Sequence, residues 1–320
     1  MRYNVVNESE DSLKKAVLLL KKEKLVAVKT ETVYGLACES GSSNAIKKIY
    51  SLKKRPFFNP LIIHVNSIDL AEEISVINND SRNIMKEFWP GPLTLILTRK
   101  KNNLVHDLAV SGLETIAIRI PSSEFVLKLI SKLNKPIAAP SANESGYVTA
   151  TDATHVVDSF GKKVDLIIDS GRTEYGVEST ILDMTTSPYE IKRLGVIDDK
   201  TIMHKLGKNI KNFNFKDKRI LSPNSPGQML KHYAPKTPIS LNIDKPNLDD
   251  AFLDFGNKNT ISHKPTLNLS KSSDLNEAAF NLFYFLRKLD KYSKKRIVVA
   301  PIPDQGIGKT INERLQRAAS

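Results

Sequence analysis

Apolar positions in this chain cluster in short runs. β-Branched and aliphatic residues fill 25–28, 61–65, 93–97, 115–120, 164–168 and 179–183. Such runs read as strands, and those apolar at every position read as strands buried on both faces. Helical spacing lies between them. Leu13, Val17 and Leu20 make a stripe within 9–23, where Ser9, Asp11 or Ser12 can cap the start. Further helical patterns occupy 42–52, 80–89, 122–134 and 152–159. Strands interleaved with helices predict an α/β fold around a buried sheet.

From His204 to Lys236 the pattern breaks. Eight Lys and Arg residues face one acid, Asp217, and Ser222-Pro223-Asn224-Ser225-Pro226-Gly227 favours turns over helix. Beyond it, strands are expected at 238–243, 251–255 and 296–300, with helices over 274–292 and 309–319. The chain therefore divides into a first domain (1–205), a basic linker (206–237) and a small C-terminal α/β domain (238–320).

A length of 320 residues is comfortable for two domains. No apolar run approaches the ~18–20 residues of a membrane span, and Met1-Arg2-Tyr3-Asn4 opens no signal-peptide pattern. A cytoplasmic protein without membrane contact is expected. The single cysteine, Cys38, excludes an internal disulfide and a multi-cysteine metal site. The net charge of +13 suits polyanionic partners, nucleotide or tRNA, although a lysine-rich, soluble surface gives the same value.

Two tempting motifs fail on spacing. Gly306-Ile307-Gly308-Lys309-Thr310 resembles the end of a phosphate loop, but the required earlier glycine is Pro303 and only ten residues follow Thr310. The six histidines (64, 106, 155, 204, 232 and 263) show no metal-ligand spacing, and no protein ligand for a metal is assigned. Most of them are expected at the surface; His64, inside an apolar strand, is the exception.

The chemistry-bearing loops are Lys53-Lys54-Arg55-Pro56 with Asn59-Pro60-Leu61, and Ser141-Ala142-Asn143 after the apolar run Ile137-Ala138-Ala139-Pro140. Cations beside small hydrogen-bonding side chains suit phosphates. Arg119 lies within the strand Ile116-Ala117-Ile118-Arg119-Ile120 and needs an anionic partner or a hydrated cleft. Either a structural salt bridge or a bound carboxylate would serve.

Together with Thr30-Glu31-Thr32-Val33-Tyr34-Gly35, Trp89-Pro90-Gly91-Pro92 and Gly176-Val177-Glu178-Ser179-Thr180-Ile181, these loops resemble the YrdC-like family. The similarity is strong over 10–200 and resumes at 225–235, Ser-Pro-Gly-Gln-Met-Leu-Lys-His-Tyr-Ala-Pro, as in the family's two-domain branch, the L-threonylcarbamoyladenylate synthases. The resemblance implies a twisted open sheet with a concave basic cleft, plus a small Rossmann-like C-terminal domain. It further implies synthesis of L-threonylcarbamoyladenylate from L-threonine, bicarbonate and ATP with release of pyrophosphate, for threonylcarbamoyladenosine in tRNA. Mg²⁺ would accompany ATP, and a tRNA contact and a downstream threonylcarbamoyl-transferase complex would be partners.

Carried over by motif, Lys53, Arg55, Ser141 and Asn143 would be catalytic. Arg55, Asn59, Thr115, Ser141, Thr149, Arg193 and Tyr233 would bind ATP, and Thr32, His64, Arg119, the Ala139 backbone and Ser179 would bind threonine. Segment 225–235 is expected to fold over the cleft as a lid. Lys29, Lys54, Val148 and Ala150 depart from the usual Pro, Gly, Pro and Pro of the family without removing a functional side chain. Two rivals remain: an RNA-binding protein of the same fold without catalysis, and a carbamoyl-transfer role like that of a related hydrogenase-maturation domain, whose zinc-finger and acylphosphatase-like segments are absent from the sequence.

Overall fold

The computed structural model describes residues 4–212, 232–257 and 265–320. The first part runs β1 (Val5–Asn7), α1 (Glu10–Lys21), β2 (Val26–Lys29), β3 (Tyr34–Glu39), α2 (Ser43–Lys53), β4 (Ile62–His64), α3 (Ile68–Ile74), α4 (Asn79–Phe88) and β5 (Leu93–Thr98). It continues with β6 (Thr115–Arg119), α5 (Glu124–Leu133), β7 (Ile137–Ala138), α6 (Ala153–Phe160), β8 (Leu166–Asp169), β9 (Thr180–Asp183), β10 (Glu190–Arg193) and α7 (Asp199–Leu206). The second comprises β11 (Ile239–Leu241), β12 (Asp250–Asp254), β13 (Thr266–Asn268), α8 (Leu275–Asp290), β14 (Arg296–Val299) and α9 (Ile307–Ala318).

The first set of strands forms one ten-stranded mixed sheet, ordered β1-β8-β2-β3-β7-β4-β6-β5-β9-β10. The second forms a parallel four-stranded sheet, β11-β14-β12-β13. Every strand anticipated from apolar runs is present, as is every anticipated helix, with ends moved by a few residues. Ser9 caps α1 in a reciprocal box with Ser12. The strands not anticipated carry weak signals. β7 is two residues long, β10 (Glu-Ile-Lys-Arg) is apolar at one position, and β3 is interrupted by Gly35.

Alternation along the strands explains the cleft. On one face Ile63, Leu95, Leu97, Ile116, Ile118 and Leu182 join the main core beneath α2, α3, α4 and α6. On the opposite face, α1 and α5 cover only the half built by Val26, Val28, Ala37, Ile137, Leu166 and Ile168. The uncovered half leaves a separate apolar floor of Ile62, Ile96, Ala117 and Ile181.

The false phosphate loop has a structural role. Gly306 caps α9, and a Cβ on Gly308 would stand 2.0 Å from the Pro303 carbonyl oxygen. Thr310 Oγ1 donates to the Gly195 carbonyl (2.8 Å) and Lys309 pairs with Asp199 (3.4 Å), so this helix start is spent on the first domain.

Lys54 ends α2 with φ 52° and ψ 39°, the left-handed region that favours glycine. Its side chain is exposed and, among the described residues, pairs with Glu144 (3.3 Å), an exposed pair of small worth. Lys54→Gly is therefore expected to preserve activity and shift stability by no more than about 1 kcal/mol, in the stabilising direction if strain outweighs the added chain entropy. Urea unfolding checks this, and a loss above that size would contradict it.

Candidate active site

At Ile62 the uncovered apolar patch borders a cleft lined by both polar and apolar side chains. Its two ends differ. At one end strand register sets His64 beside Arg119. Arg119 is buried; its Nε donates to the Gly91 carbonyl (3.0 Å), Nη1 to Thr32 Oγ1 (2.8 Å) and Nη2 to the Glu31 carboxylate. Of the two partners the sequence left open, the structure supplies the ion pair, and Arg119 still lines the cleft. The second Glu31 oxygen is buried without a hydrogen bond among the described residues.

Burial, helped by the neighbouring Arg119 charge, pushes the His64 pKa down to about 3, so the imidazole is neutral at physiological pH. Its Nδ1 is buried and unpartnered among the described residues. Ser179 Oγ lies 2.8 Å from Thr94 Oγ1 and accepts from Arg193 Nη2 (3.1 Å).

The other end is cationic. Arg193 lies on β10 and donates Nε and Nη2 to the Ser179 carbonyl (3.1 and 3.0 Å). Arg55 donates Nε to the Asn59 carbonyl (2.9 Å) and Nη2 to Asn59 Oδ1 (2.6 Å) and the Pro60 carbonyl (2.7 Å). Burial lowers the Arg55 pKa to about 10, which leaves it charged at neutral pH, and also lowers that of Arg193. Tyr233 and His232 form part of the wall, their rings edge-to-face at 4.1 Å. The rest of the expected lid, 225–231, lies outside the described residues.

Thr32, Arg55, His64, Arg119, Ala139, Ser141, Ser179, Arg193 and Tyr233 therefore share one cleft. Lys53, Asn59, Thr115, Asn143 and Thr149 do not line it. Lys53 is buried at the end of α2, and its ammonium donates to the Ser141 and Asn143 carbonyls, tying the two loops together. Burial, then Arg55 and Arg287, lower its pKa well below the usual lysine range. Asn59 holds Arg55. Asn143 Nδ2 bridges the Glu144 and Tyr147 carbonyls (2.8 and 2.9 Å), fixing the loop's shape. Thr149 Oγ1 donates to Glu178 (2.7 Å). Thr115 starts β6, four residues from Arg119 and so roughly 13 Å away along the strand.

Glu31, Glu178 and His232 were legible only as members of motifs, with no role attached. The histidines also differ from expectation, because His155 and His232 are buried along with His64. His155 Nδ1 accepts from the Thr151 backbone N–H (3.3 Å) at the start of α6, and His232 packs on Tyr233. Among the described residues no group of three His, Cys, Asp or Glu could hold a metal ion.

The family model for Sua5, YciO and YrdC proteins, described as "Telomere recombination", matches residues 18–195. A second, "Threonylcarbamoyl-AMP synthase, C-terminal domain", matches 197–320. A threonylcarbamoyl-AMP synthase of Pyrococcus abyssi is 35% identical over 94% of this chain and 92% of its own length. One from Bacillus subtilis is 33% identical over 98% and 94%. The crystal structure of P. abyssi Sua5 complexed with L-threonine matches with a TM-score of 0.91 at 32% identity, covering 100% of this chain and 98% of that one.

The Lys53 geometry gives a stability prediction. Lys53→Met keeps the aliphatic stem but strands two buried carbonyls, which is expected to cost about 2–4 kcal/mol in urea unfolding. A change as small as that of Lys54→Gly would show that the buried ammonium does not hold the loop.

Proposed function

The chain belongs to the Sua5/YciO/YrdC family, in the form that carries the threonylcarbamoyl-AMP synthase C-terminal domain, and it is an enzyme; from that premise we propose that it is a nucleotidyltransferase that joins L-threonine, bicarbonate and ATP into L-threonylcarbamoyladenylate, releasing pyrophosphate, for threonylcarbamoyladenosine synthesis in tRNA. The observation that carries this reading is the cleft's polarity. A compact end built from Arg119, Thr32, Ser179 and neutral His64 suits a small amino acid, while Arg55 and Arg193 suit phosphates at the other. Apolar Val33, Ile62, Ala139 and Pro140 in the same lining suit the nucleoside.

In this reading the threonine carboxylate meets Arg119 from the cleft, sharing it with Glu31. The neutral imidazole of His64 adds no charge to repel the amine. The amine and bicarbonate give a carbamate and water. A carbamate oxygen then attacks the α-phosphorus, the bond to the β-phosphate oxygen breaks, and pyrophosphate leaves. Arg55 and Arg193 stabilise the charge gathering on the phosphoryl oxygens, a role for fixed cations. Tyr233, already in the wall, would contact the nucleotide.

Mg²⁺ fits as a companion of the nucleotide. Glu178, the acid lining the cleft, is occupied by Thr149 and Arg314, so the ion would sit on phosphate oxygens and neutralise them. A cytoplasmic site of action, with transfer of the product to a threonylcarbamoyl-transferase acting on tRNA, completes the proposal. A purely RNA-binding role is less well supported, because Arg55, Arg119 and Arg193 are all buried side chains around a small cleft instead of an open platform.

Purified protein given ATP, bicarbonate and L-threonine is expected to release pyrophosphate, and L-serine to support less; no threonine-dependent release would reject the reading. Arg55→Ala should reduce the rate by roughly 10²–10³, the usual worth of a preorganised donor to transition-state charge. Arg119→Ala should weaken threonine binding far more than ATP binding. Calorimetry that found threonine affinity unchanged would remove Arg119 from the carboxylate site.

A further inference from the structure

We propose that Arg314, a residue of the C-terminal domain, is a positioning residue for the nucleotide end of the cleft, acting through Glu178 and Tyr233. This rests on the reading above for what the cleft binds, while the contacts themselves are independent of it.

Arg314 lies on α9 and is one of the largest fully buried side chains among the described residues. Each nitrogen of its guanidinium has a partner. Nε donates to Glu178 Oε2 (3.0 Å), Nη2 to the Leu194 carbonyl (2.7 Å) and Nη1 to Glu313 on its own helix. Two of these partners belong to the first domain, one of them a cleft-lining carboxylate. The guanidinium also lies 4.9 Å from the centre of the Tyr233 ring, which Phe283 of α8 stacks on the same domain side (5.4 Å). One side chain thus reaches two walls of the cleft.

Glu178 shows what that contact does. Oε1 takes the Thr149 hydroxyl and Oε2 takes Arg314, so both oxygens are engaged and the carboxylate cannot rotate freely. Burial alone would raise its pKa, but the charges of Arg314 and then Arg193 lower it instead. An anion is therefore kept at the wall of a site meant for a triphosphate, and Arg314 is the cation that neutralises it. Without Arg314, Glu178 either repels phosphate or swings toward Arg193 and takes a cation that the nucleotide needs. Tyr233 loses its flat cationic support at the same time.

The threonine end is built from other groups. Arg119, Thr32 and His64 share no direct hydrogen bond with Arg314 or Glu178 among the described residues, while Ser179, next to Glu178 and bonded to Arg193, is where the two ends meet. A positioning role consequently predicts a split between substrates that general destabilisation would not produce.

The test uses the full-length protein with Arg314→Met. The KM for ATP is expected to rise about tenfold or more, as for a buried ion pair deprived of one partner. The threonine Kd by calorimetry should change far less than the ATP KM, since Arg119 and Thr32, which would hold the carboxylate, are bonded to each other, Glu31 and Gly91 and not to Arg314 or Glu178. Adding Glu178→Gln to Arg314→Met should recover most of the lost ATP affinity, because it removes the unpaired charge. Arg314→Lys, which keeps the charge but not the fork, should fall between and carries the test if the Met variant does not fold.

An unchanged ATP KM in a folded variant would overturn the proposal. So would equal losses for ATP and threonine with a lowered Tm, or failure of Glu178→Gln to recover anything. If the wild-type protein released no pyrophosphate, the functional reading would fail on its own. ATP calorimetry on the same variants would still decide the role of Arg314.

Discussion

Buried cations held by backbone carbonyls organise this molecule. Lys53 rests on the Ser141 and Asn143 carbonyls, Arg55 on those of Asn59 and Pro60, Arg193 on that of Ser179, and Arg287 on those of Val148 and Thr149. A carbonyl dipole fixes a guanidinium or ammonium in place without cancelling its charge, as a carboxylate would. The desolvation cost stays in the apo protein, visible in the lowered pKa of Lys53, Arg55 and Arg287. Of these groups Arg55 and Arg193 line the cleft, where a polyanion bound as proposed would relieve it. The loops around the cleft are shaped to present these oxygens, and Gly91 illustrates the constraint. Its carbonyl serves Arg119, while a Cβ there would stand 2.4 Å from the Phe88 carbonyl oxygen.

The same device joins the two domains. Arg287 reaches from α8 into the segment 148–159, contacting Ser159 Oγ (3.1 Å) as well as the carbonyls. Arg172 answers from the first domain, inserted between Phe280 and Tyr284 at 3.9 and 4.0 Å from their ring centres. Gly176, with φ 73°, lets α8 approach so closely that a Cβ would meet the Ala279 carbonyl at 2.6 Å. Two residues later the chain enters the cleft at Glu178. The motif Gly-Val-Glu-Ser-Thr thus serves the interface at its first residue and the site at its third and fourth.

Much of this was legible in the sequence, and the remainder had physical reasons to be hidden. Strands such as 93–98 and 115–119 announced themselves because one face feeds the main core and the other the cleft floor, making nearly every position apolar. β10 was silent because it is a charged edge strand whose Arg193 faces the site. The cleft residues recovered by motif are those whose side chains line the site. Lys53, Asn59, Asn143 and Thr149 stand behind that layer, where motif matching cannot separate a ligand contact from a support. Arg119 shows the limit of single-residue reasoning. A strand arginine demands an anion, but only the fold reveals that Glu31, 88 positions earlier in the chain, reaches it. Arg314 had no signal, since an arginine on an amphipathic helix looks like any solvated one.

The Arg314–Glu178 contact spans 136 positions, and Arg287 meets Val148 across 139. Such contacts carry a high loop-closure cost, so each domain is expected to find its own core before they form. A ten-stranded sheet can therefore be complete while its cleft still has an unneutralised carboxylate in the wall and an unsupported tyrosine. During synthesis, the first domain emerges well before α9. Order of assembly would then work as a quality check: on the proposal made for Arg314, the nucleotide end would become fit for its ligand only in molecules whose second domain has also folded and seated correctly.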